Sequence, residues 1–277
     1  MSDTKPLSGW LLASDIDGTL NDKSRRLPKR NYEAIRRFTS EMGGVFILAS
    51  GRSIESMRKH FNRLDLDSGL CVFTNGAGVY DYAKEEIIWL HEMSGETVRQ
   101  IKDVIGSFHG ANMQVVTPDC IYLKTPTPSS YILALSSKLP KKIFSNYESI
   151  PNDRWCKVIF TGAPWRLDRL EKRFAELNGG NTSNLMRSSV CSFEIVAEGT
   201  NTGVAVMKVA QMLGIDESKT AAIGDYFNDL EMLKCVALPA VCGQAPKALK
   251  KIAKLVTCHC DKGAVADLIE YIIDNYT

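Results

Sequence analysis

The sequence predicts an α/β fold, a doubly wound Rossmann-like core of parallel strands that carries an inserted α+β cap domain. Apolar runs alternate with amphipathic helical patterns over residues 1–84 and again over residues 189–277, as in a parallel sheet crossed by helices. Over residues 85–188 the pattern changes to short strands and helices with loops between them. The length of 277 residues and the hydrophobic content of 44% suffice for both parts. We therefore predict a core of residues 1–84 and 189–277 and a cap of residues 85–188.

The first part of the predicted core alternates strands and helices. The run Val45–Ala49 is apolar throughout, which is typical of a strand buried on both faces of a sheet. Apolar residues recur at helical spacing before and after it, and Gly43-Gly44 ends the first helix. The predicted elements are a strand at Trp10–Ser14, a helix at Lys29–Met42, a strand at Val45–Ala49, a helix over Ile54–Leu64 and a strand at Leu70–Phe73.

The same patterns divide the rest of the chain. In the cap we predict helices over Val98–Phe108 and Pro164–Leu177, strands at Met113–Val116, Ile121–Leu123 and Val158–Phe160, and loops at Pro126, Pro128 and 178–184. In the returning core we predict a helix over Val204–Leu213, a strand at Ala221–Ile223, a helix from about Asn228, a strand at Val236–Val241, and helices over Lys247–Lys254 and Ala264–Ile273.

Composition excludes several classes of protein. The net charge is +2 without a long basic run, which argues against a nucleic-acid partner. No window approaches 18 uninterrupted apolar residues, so we expect no membrane span, and the apolar piece after Lys5 is too short for a secretory signal. Eight cysteines, several in apolar strand-like contexts such as Cys71, Cys191 and Cys242, indicate a reduced, cytoplasmic protein. Cys258-His259-Cys260 lacks the spacer of a zinc half-site, so we predict no structural metal there. The sequence leaves the oligomeric state open.

Two carboxylates one residue apart, Asp15 and Asp17, follow the first strand and precede Gly18-Thr19. Alternation along the chain points both side chains at one locus. Two like charges so close repel each other, and a cation relieves the repulsion. The pair therefore indicates a hard metal such as Mg2+ held by oxygen ligands. The alternative interpretation is a strand that ends in an ordinary polar turn.

Three more polar segments are predicted near the same edge of the sheet. Two of them follow strands and one opens a helix. Open α/β sheets bind ligands at the carboxyl ends of their strands, so these segments are candidates for one site. They are Ser50-Gly51-Arg52, Asn201-Thr202-Gly203 and the hexad Gly224-Asp225-Tyr226-Phe227-Asn228-Asp229.

In this order, the four segments resemble the haloacid dehalogenase superfamily, and within it the Cof-like phosphatases with a large α/β cap. The hexad, followed by Leu230-Glu231-Met232-Leu233, is the most specific stretch. Asn75-Gly76-Ala77 and Lys262-Gly263-Ala264-Val265 also resemble this subfamily. The resemblance covers essentially the whole chain and is weakest through the cap. It implies a Mg2+-dependent hydrolase of small phosphorylated metabolites, with sugar phosphates as the expected class and a cap that covers the site and selects the substrate.

The resemblance also implies roles for the acidic residues. Asp15 would be the nucleophile, which forms an aspartyl-phosphate. Asp17 would protonate the leaving oxygen and then deprotonate the attacking water. Asp15, the backbone carbonyl of Asp17 and Asp225 would bind Mg2+, with Asp229 holding the metal shell in place. An alternative is that Asp229 caps the following helix.

Other positions would bind the phosphate or the substrate. Ser50, beside Gly51, matches a hydroxyl that donates to the phosphoryl group, although it could simply start a turn. Asn228 is expected to contact phosphate or substrate. Arg52 could reach the phosphate, and the alternative is an ordinary surface arginine at a helix start.

Thr202 departs from the family pattern, which has a lysine just before the glycine that opens this helix. The nearest lysine, Lys208, lies six residues on and points away from the helix start. Another cation such as Arg52 could replace the lysine, or the Thr202 hydroxyl and the helix N-terminus could support a slower reaction. Otherwise the protein binds phosphate compounds and turns them over poorly, or Thr202 is simply an N-cap. The alternative functions are a phosphotransferase or mutase on the same scaffold and, because Thr202 replaces the lysine, a weakly active regulator that binds phospholigands.

Overall fold

The computed structural model describes residues 5–66, 68–108, 110–124, 138–177 and 184–277, without the side chain of residue 188. The chain forms two compact units. The core unit comprises Met1–Gly51, Met57–Trp89 and Asn201–Thr277, and the cap unit comprises Arg52–Ser56 and Leu90–Thr200. The units divide after residues 89 and 200, whereas the predicted cap spans residues 85–188. The predicted loops at Pro126 and Pro128 and over 178–183 lie outside the described residues.

The strands and helices alternate through the core unit and cluster by type in the cap unit. The strands, in chain order, are β1 (Leu11–Ser14), β2 (Val45–Ala49), β3 (Leu70–Phe73), β4 (Gly78–Asp81), β5 (Glu86–Leu90), β6 (Ala111–Val116), β7 (Ile121–Leu123), β8 (Lys141–Ile143), β9 (Lys157–Gly162), β10 (Leu185–Ser189), β11 (Ser192–Val196), β12 (Thr220–Gly224), β13 (Leu238–Val241) and β14 (Leu255–Val256). The helices are α1 (Lys29–Arg36), α2 (Ile54–Leu64), α3 (Gly95–Gly106), α4 (Pro164–Leu177), α5 (Thr202–Met212), α6 (Leu230–Cys235), α7 (Lys247–Lys250) and α8 (Ala264–Tyr276).

The core sheet has eight strands in the order β14-β13-β12-β1-β2-β3-β4-β5. Strands β14 to β3 run parallel, and β1 lies between β12 and β2, with Leu11 opposite both Thr220 and Val45. This order confirms the doubly wound parallel core. The antiparallel strand β4 and its neighbour β5 extend the sheet beyond the prediction, because the chain turns back after β3 instead of crossing over through a helix.

Apolar side chains on one face of the core sheet pack against α5 and α6. Leu11, Ala13 and Ile47 form this layer with Val206 of α5 and Met232 of α6, all fully buried. Side chains alternate along a strand, so Leu12 and Phe46 point to the opposite face, and they are fully buried as well. A core buried on both faces fixes the strand ends, which is what holds the polar loops beyond them in place.

Several helix ends differ from the prediction. The first helix continues beyond α1 as a wider turn over Arg37–Glu41, close to the predicted end at Met42. The predicted helix over Lys247–Lys254 is only one turn long, because the chain leaves it to form the short edge strand β14. The last helix runs to Tyr276, three residues past the predicted Ile273.

The cap unit has a six-stranded sheet in the order β10-β11-β9-β6-β7-β8, antiparallel except for the β7–β8 pair. Helices α3 and α4 contribute Ile101 and Phe174 to a core with Phe160 and Phe193 of the sheet. Strands β8, β10 and β11 were not predicted, and Cys191, expected in a strand, is exposed in the turn between β10 and β11. Among the described residues, no helix is long and apolar enough to cross a bilayer.

Candidate active site

Asp15 directly follows β1, a central strand of the core sheet. Its backbone N–H donates to the carbonyl of Ile223 on β12 at 3.1 Å, and only 4% of the residue is exposed. The chain then turns through Asp17, which is exposed, and Gly18, whose φ is +81°. A Cβ atom on Gly18 would lie 2.5 Å from Oδ2 of Asp225, so both the backbone conformation and the close carboxylate require glycine here.

The predicted metal-binding carboxylates meet at this turn. One oxygen each from Asp15, Asp225 and Asp229 lies within 4.8 Å of the others. Burial raises the pKa of Asp15 well above its usual value of 3.8, and the negative charges of Asp229, Asp17 and Asp225 raise it further. Burial is also the first cause of the raised pKa of Asp225, to which the charge of Asp17 adds. Neighbouring carboxylates thus destabilise one another's ionised forms until a cation neutralises them.

Asp229 anchors the loop that carries Asp225. Its Oδ2 accepts the backbone N–H groups of Asp225 at 2.9 Å and Tyr226 at 3.2 Å, and its Oδ1 accepts the side-chain amide of Asn228 at 2.9 Å. Asp229 occupies the N-cap position of α6, as the helix-cap alternative has it, but its side chain makes no cap hydrogen bond to that helix and bonds back along the loop instead. Burial nevertheless raises the pKa of Asp229 to about 7.

A second group of loops gathers the predicted phosphate-binding positions of the core unit. The carbonyl of Ser50 accepts the N–H of Asn75 at 3.1 Å, which joins the loops after β2 and β3. A Cβ atom on Gly51 would lie 2.6 Å from Oδ1 of Asn75, and one on Gly76 would lie 2.7 Å from the backbone nitrogen of Thr202. Glycine at these two positions lets the three segments approach closely, so Ser50 and Thr202 both flank the turn after β3.

Thr202 is the first residue of α5 and not its N-cap. The cap is Asn201, whose side-chain oxygen accepts the N–H of Val204 at 2.8 Å. The N-cap interpretation of Thr202 is therefore wrong, since the preceding asparagine already serves the helix end. Thr202 is only 6% exposed. Lys208 donates to Gln211 on the exposed side of the helix, in line with its expected direction.

The predicted residues fall into distinct groups. Asp15, Asp225 and Asp229 form the carboxylate cluster, and Asp17 lies near enough for its charge to act on two of them. Asn228 is exposed beside Asp229. The predicted residues Ser50, Gly51 and Thr202 belong to the second group of loops. Arg52 belongs to a segment grouped with the cap unit.

Gln244, which is not among the predicted residues, joins three loops of the site. Its Nε2 donates to the carbonyl of Gly18 at 2.6 Å, and its Oε1 accepts the N–H of Cys260 at 3.1 Å. A hydrogen bond from Gln244 also lowers the pKa of Asp225, which partly offsets the effect of burial. The signal was present in the sequence, because Gln244 lies just past the end of β13 at the same edge of the sheet.

The donor set of the cluster fits Mg2+. Its donors are carboxylate oxygens, which hard divalent cations prefer, and one from each residue lies within 4.8 Å of the others at one edge of the sheet. Burial and neighbouring negative charges raise the pKa values of Asp15, Asp225 and Asp229. A bound cation would offset both effects by stabilising the ionised carboxylates.

Fold and site together define an α/β protein with a cluster of carboxylate oxygen donors at the carboxyl edge of a parallel sheet. The chain belongs to the haloacid dehalogenase-like hydrolases, whose family model matches residues 12–269. This membership confirms the family resemblance seen in the motifs. The enzyme class is a phosphoric monoester hydrolase of the haloacid dehalogenase type.

Curated relatives agree with this assignment, and a solved structure shares the fold. A protein of Streptococcus pyogenes serotype M6, provisionally named as a phosphatase, is 29% identical over 262 residues, which cover 94% of this chain and 96% of the relative. The HMP-PP phosphatase of Escherichia fergusonii is 26% identical over 267 residues and 96% of each chain. The structure of a haloacid dehalogenase subclass IIB sugar phosphatase superposes with a TM-score of 0.74 at 21% identity, covering 95% of this chain and 98% of that one. The last likeness shows the shared fold.

Proposed function

We propose that this protein is a Mg2+-dependent phosphatase of small phosphorylated metabolites that works through an aspartyl-phosphate on Asp15. The observation that supports this most is the buried Asp15 carboxylate, held at a strand end with Asp225 and Asp229 in one cluster. A nucleophilic carboxylate must approach a phosphate dianion, and it does so only where positive charge offsets the repulsion. The three carboxylates of the cluster would bind the cation that supplies this positive charge.

The residues that would hold Mg2+ are Asp15, Asp225 and the backbone carbonyl of Asp17. Bound there, Mg2+ would neutralise charge on the transferring phosphoryl oxygens. Both oxygens of Asp229 are engaged in hydrogen bonds with its own loop, so we assign Asp229 the task of fixing Asp225. Gln244 would fix the Gly18 turn and Asp225 from the other side.

In the first chemical step, one carboxylate oxygen of Asp15 forms a bond to phosphorus while the bond from phosphorus to the leaving oxygen breaks. Asp17 donates a proton to that oxygen. In the second step, a water oxygen attacks phosphorus, the bond to Asp15 breaks, and Asp17 takes the proton from water. Exposure of Asp17 supports this role, since the residue must meet both the leaving group and solvent.

The phosphoryl oxygens need donors besides the cation. We propose the Ser50 hydroxyl, the backbone N–H of Gly51 and the N-terminus of α5 at Thr202, where unpaired N–H groups and the helix dipole favour an anion. Asn228 and Arg52 are proposed as further contacts with phosphate or substrate. Loss of Arg52 as a phosphate ligand is expected to raise KM, and Arg52→Ala tests that.

Sugar phosphates are the first substrate class to examine. Tyr226 and Phe227 follow Asp225 directly, are 57% and 49% exposed, and have ring centroids 5.3 Å apart. Such a pair offers an apolar face to a sugar ring or to a planar heterocycle. The panel should therefore include HMP-PP, the compound named in the relative from Escherichia fergusonii, beside the sugar phosphates.

The deciding experiment is Mg2+-dependent phosphate release across this panel. Asp15→Asn is expected to lose turnover by several orders of magnitude, and Asp274→Asn, an exposed aspartate in α8, is the matched control that keeps it. An added acceptor sugar shows whether the phosphoryl group goes to water or to a hydroxyl. Turnover in the Asp15→Asn protein equal to that of the wild type would refute the proposal.

A second measurement separates the two steps. With nitrophenyl phosphate the leaving group needs no proton, so Asp17→Asn should still form the aspartyl-phosphate but hydrolyse it slowly. Mass spectrometry of the quenched protein should then find phosphate on Asp15. Phosphate on another residue, or none during turnover, contradicts the assigned nucleophile.

A further inference from the structure

A second group of metal-ligating side chains lies in the loop between β14 and α8. The Sγ atom of Cys260 is 3.6 Å from Nδ1 of His259 and 3.7 Å from Oδ1 of Asp261, and Nδ1 of His259 is 3.3 Å from Oδ2 of Asp261. One ligand atom from each residue lies within 4.8 Å of the other two. The carboxylate cluster of the active site shares none of these residues.

The separations from the Cys260 Sγ atom match those of a tetrahedral zinc site. With Zn–S of about 2.3 Å and Zn–N and Zn–O of about 2.0–2.2 Å, tetrahedral ligand atoms are about 3.3–3.7 Å apart. The Sγ–Nδ1 distance of 3.6 Å and the Sγ–Oδ1 distance of 3.7 Å fall in that range. The 3.3 Å contact of Nδ1 is with the other carboxylate oxygen, Oδ2, so Asp261 offers one oxygen to each neighbour. Cys260 is buried, while the side chains of His259 and Asp261 are 29% and 47% exposed, which leaves the open side of the group accessible.

The ligand chemistry separates this group from the active site. Thiolate and imidazole favour a borderline or soft cation such as Zn2+, whereas three carboxylates favour Mg2+. We propose that His259, Cys260 and Asp261 form a binding site for a thiophilic divalent cation of the Zn2+ class. The motif Cys258-His259-Cys260 gave no reason to expect a metal, because the third ligand is the aspartate that follows it.

The alternative role of this loop is purely local. The Nδ1 atom of His259 accepts the N–H of Asp261 at 3.1 Å and so caps a short turn, and a cation would take the same lone pair. An asparagine can cap such a turn through its side-chain oxygen but supplies no imidazole. His259→Asn therefore distinguishes the cap from the ligand.

Two hydrogen bonds connect this loop to the proposed Mg2+ site. The N–H of Cys260 donates to Gln244, and Gln244 donates to the carbonyl of Gly18. A cation on the Cys260 side chain reshapes the turn that holds this N–H. It should therefore lower phosphatase activity at saturating Mg2+, a consequence that rests on the proposed function.

Metal binding is tested without turnover. The chelator-treated protein, with Mg2+ in excess, is titrated with Co2+ while the thiolate-to-cobalt charge-transfer absorption is followed. The wild type and the control Cys191→Ser, an exposed thiol elsewhere, should bind one equivalent that Zn2+ displaces. Cys260→Ser should lose the absorption, and His259→Asn should bind at least tenfold more weakly. No thiolate absorption in the wild type, or full binding by His259→Asn, overturns the site.

The connection to Gln244 has its own readout. Cys260→Ser keeps the backbone N–H that Gln244 accepts, so its basal phosphatase activity should equal that of the wild type. Zn2+ at saturating Mg2+ should inhibit the wild type and spare Cys260→Ser. Equal inhibition of both would place the effect at the carboxylate cluster and refute the connection. A protein without any turnover would refute the proposed function and leave the cobalt titration as the test of the metal site.

Discussion

Substituting Asp229 by asparagine is expected to change how the stability of the metal-free protein depends on pH. Burial raises the pKa of Asp229 from 3.8 to about 7, so between these values the folded state holds a proton that the unfolded state has released. Stability therefore falls as pH rises through this window. The raised pKa values of Asp15 and Asp225 act in the same direction.

The size of the effect follows from the two pKa values. Linkage gives the metal-free protein about 2–3 kcal/mol less stability at pH 8 than at pH 5 from Asp229 alone. The asparagine side chain exchanges no proton, so this part of the pH dependence disappears in the variant. Groups with lowered pKa values, such as Asp216 and Asp267, act in the opposite direction, but both proteins share them and their effects cancel in the comparison.

The assay is urea denaturation in EDTA at pH 5 and pH 8 for the wild type and Asp229→Asn. The wild type should lose at least about 2–3 kcal/mol more than the variant between the two pH values, because the Asp229 charge also raises the pKa of Asp15. Mg2+ should stabilise the wild type more at pH 8, where the cluster is ionised, than at pH 5. Equal losses in both proteins, with equal stabilisation by Mg2+ at both pH values, would refute the electrostatic account of the cluster.

Three further substitutions test the surroundings of the cluster. Gln244→Ala should weaken Mg2+ binding by about ten- to a hundredfold, measured by Mg2+ titration of phosphate release, and an unchanged midpoint contradicts its positioning role. Thr202→Lys should raise kcat/KM by about a hundredfold if the site lacks positive charge, and unaltered steady-state kinetics in a folded variant would show that it does not. Gly18→Ala should displace Asp225 and abolish turnover, whereas Gly214→Ala, which has a similar φ of +64° but open space around it, should lose only about 1 kcal/mol of stability by denaturation. Retained turnover in Gly18→Ala would contradict the close packing.

The fold was predictable wherever the apolar pattern reflects burial on both faces of a sheet. Val45–Ala49 and Ala221–Ile223 are such segments, and both lie in central parallel strands. Two of the missed strands, β8 and β10, have a different environment. In β8 and β10 many side chains are exposed, and strand formation there depends on pairing with a neighbour that local sequence does not reveal.

The site was predictable in its residue types and less so in its contacts. The acidic hexad and the Asp15–Asp17 pair could be assigned to one edge because both follow apolar strands. The anchoring role of Asp229 was expected only from the family resemblance, and its partners were not predictable because they are backbone groups inside a five-residue loop. Two consecutive residues that both favour N-caps, Asn201 and Thr202, left the helix start ambiguous by one position, and the structure assigns the cap to Asn201.

Charge balance explains why the residue at the start of α5 matters for catalysis. Ionised Asp15, Asp225 and Asp229 carry three negative charges, and one Mg2+ leaves an excess of one before a phosphate dianion arrives. The N-terminus of α5 offsets about half a charge. Thr202 adds a hydroxyl there but no cation. Either Arg52 or a positively charged group of the substrate neutralises the remaining negative charge, or the charge stays unbalanced and the reaction is slower. Comparing kcat/KM of Thr202→Lys on neutral and amino-bearing sugar phosphates separates these cases, because a cationic substrate should gain least from the added lysine.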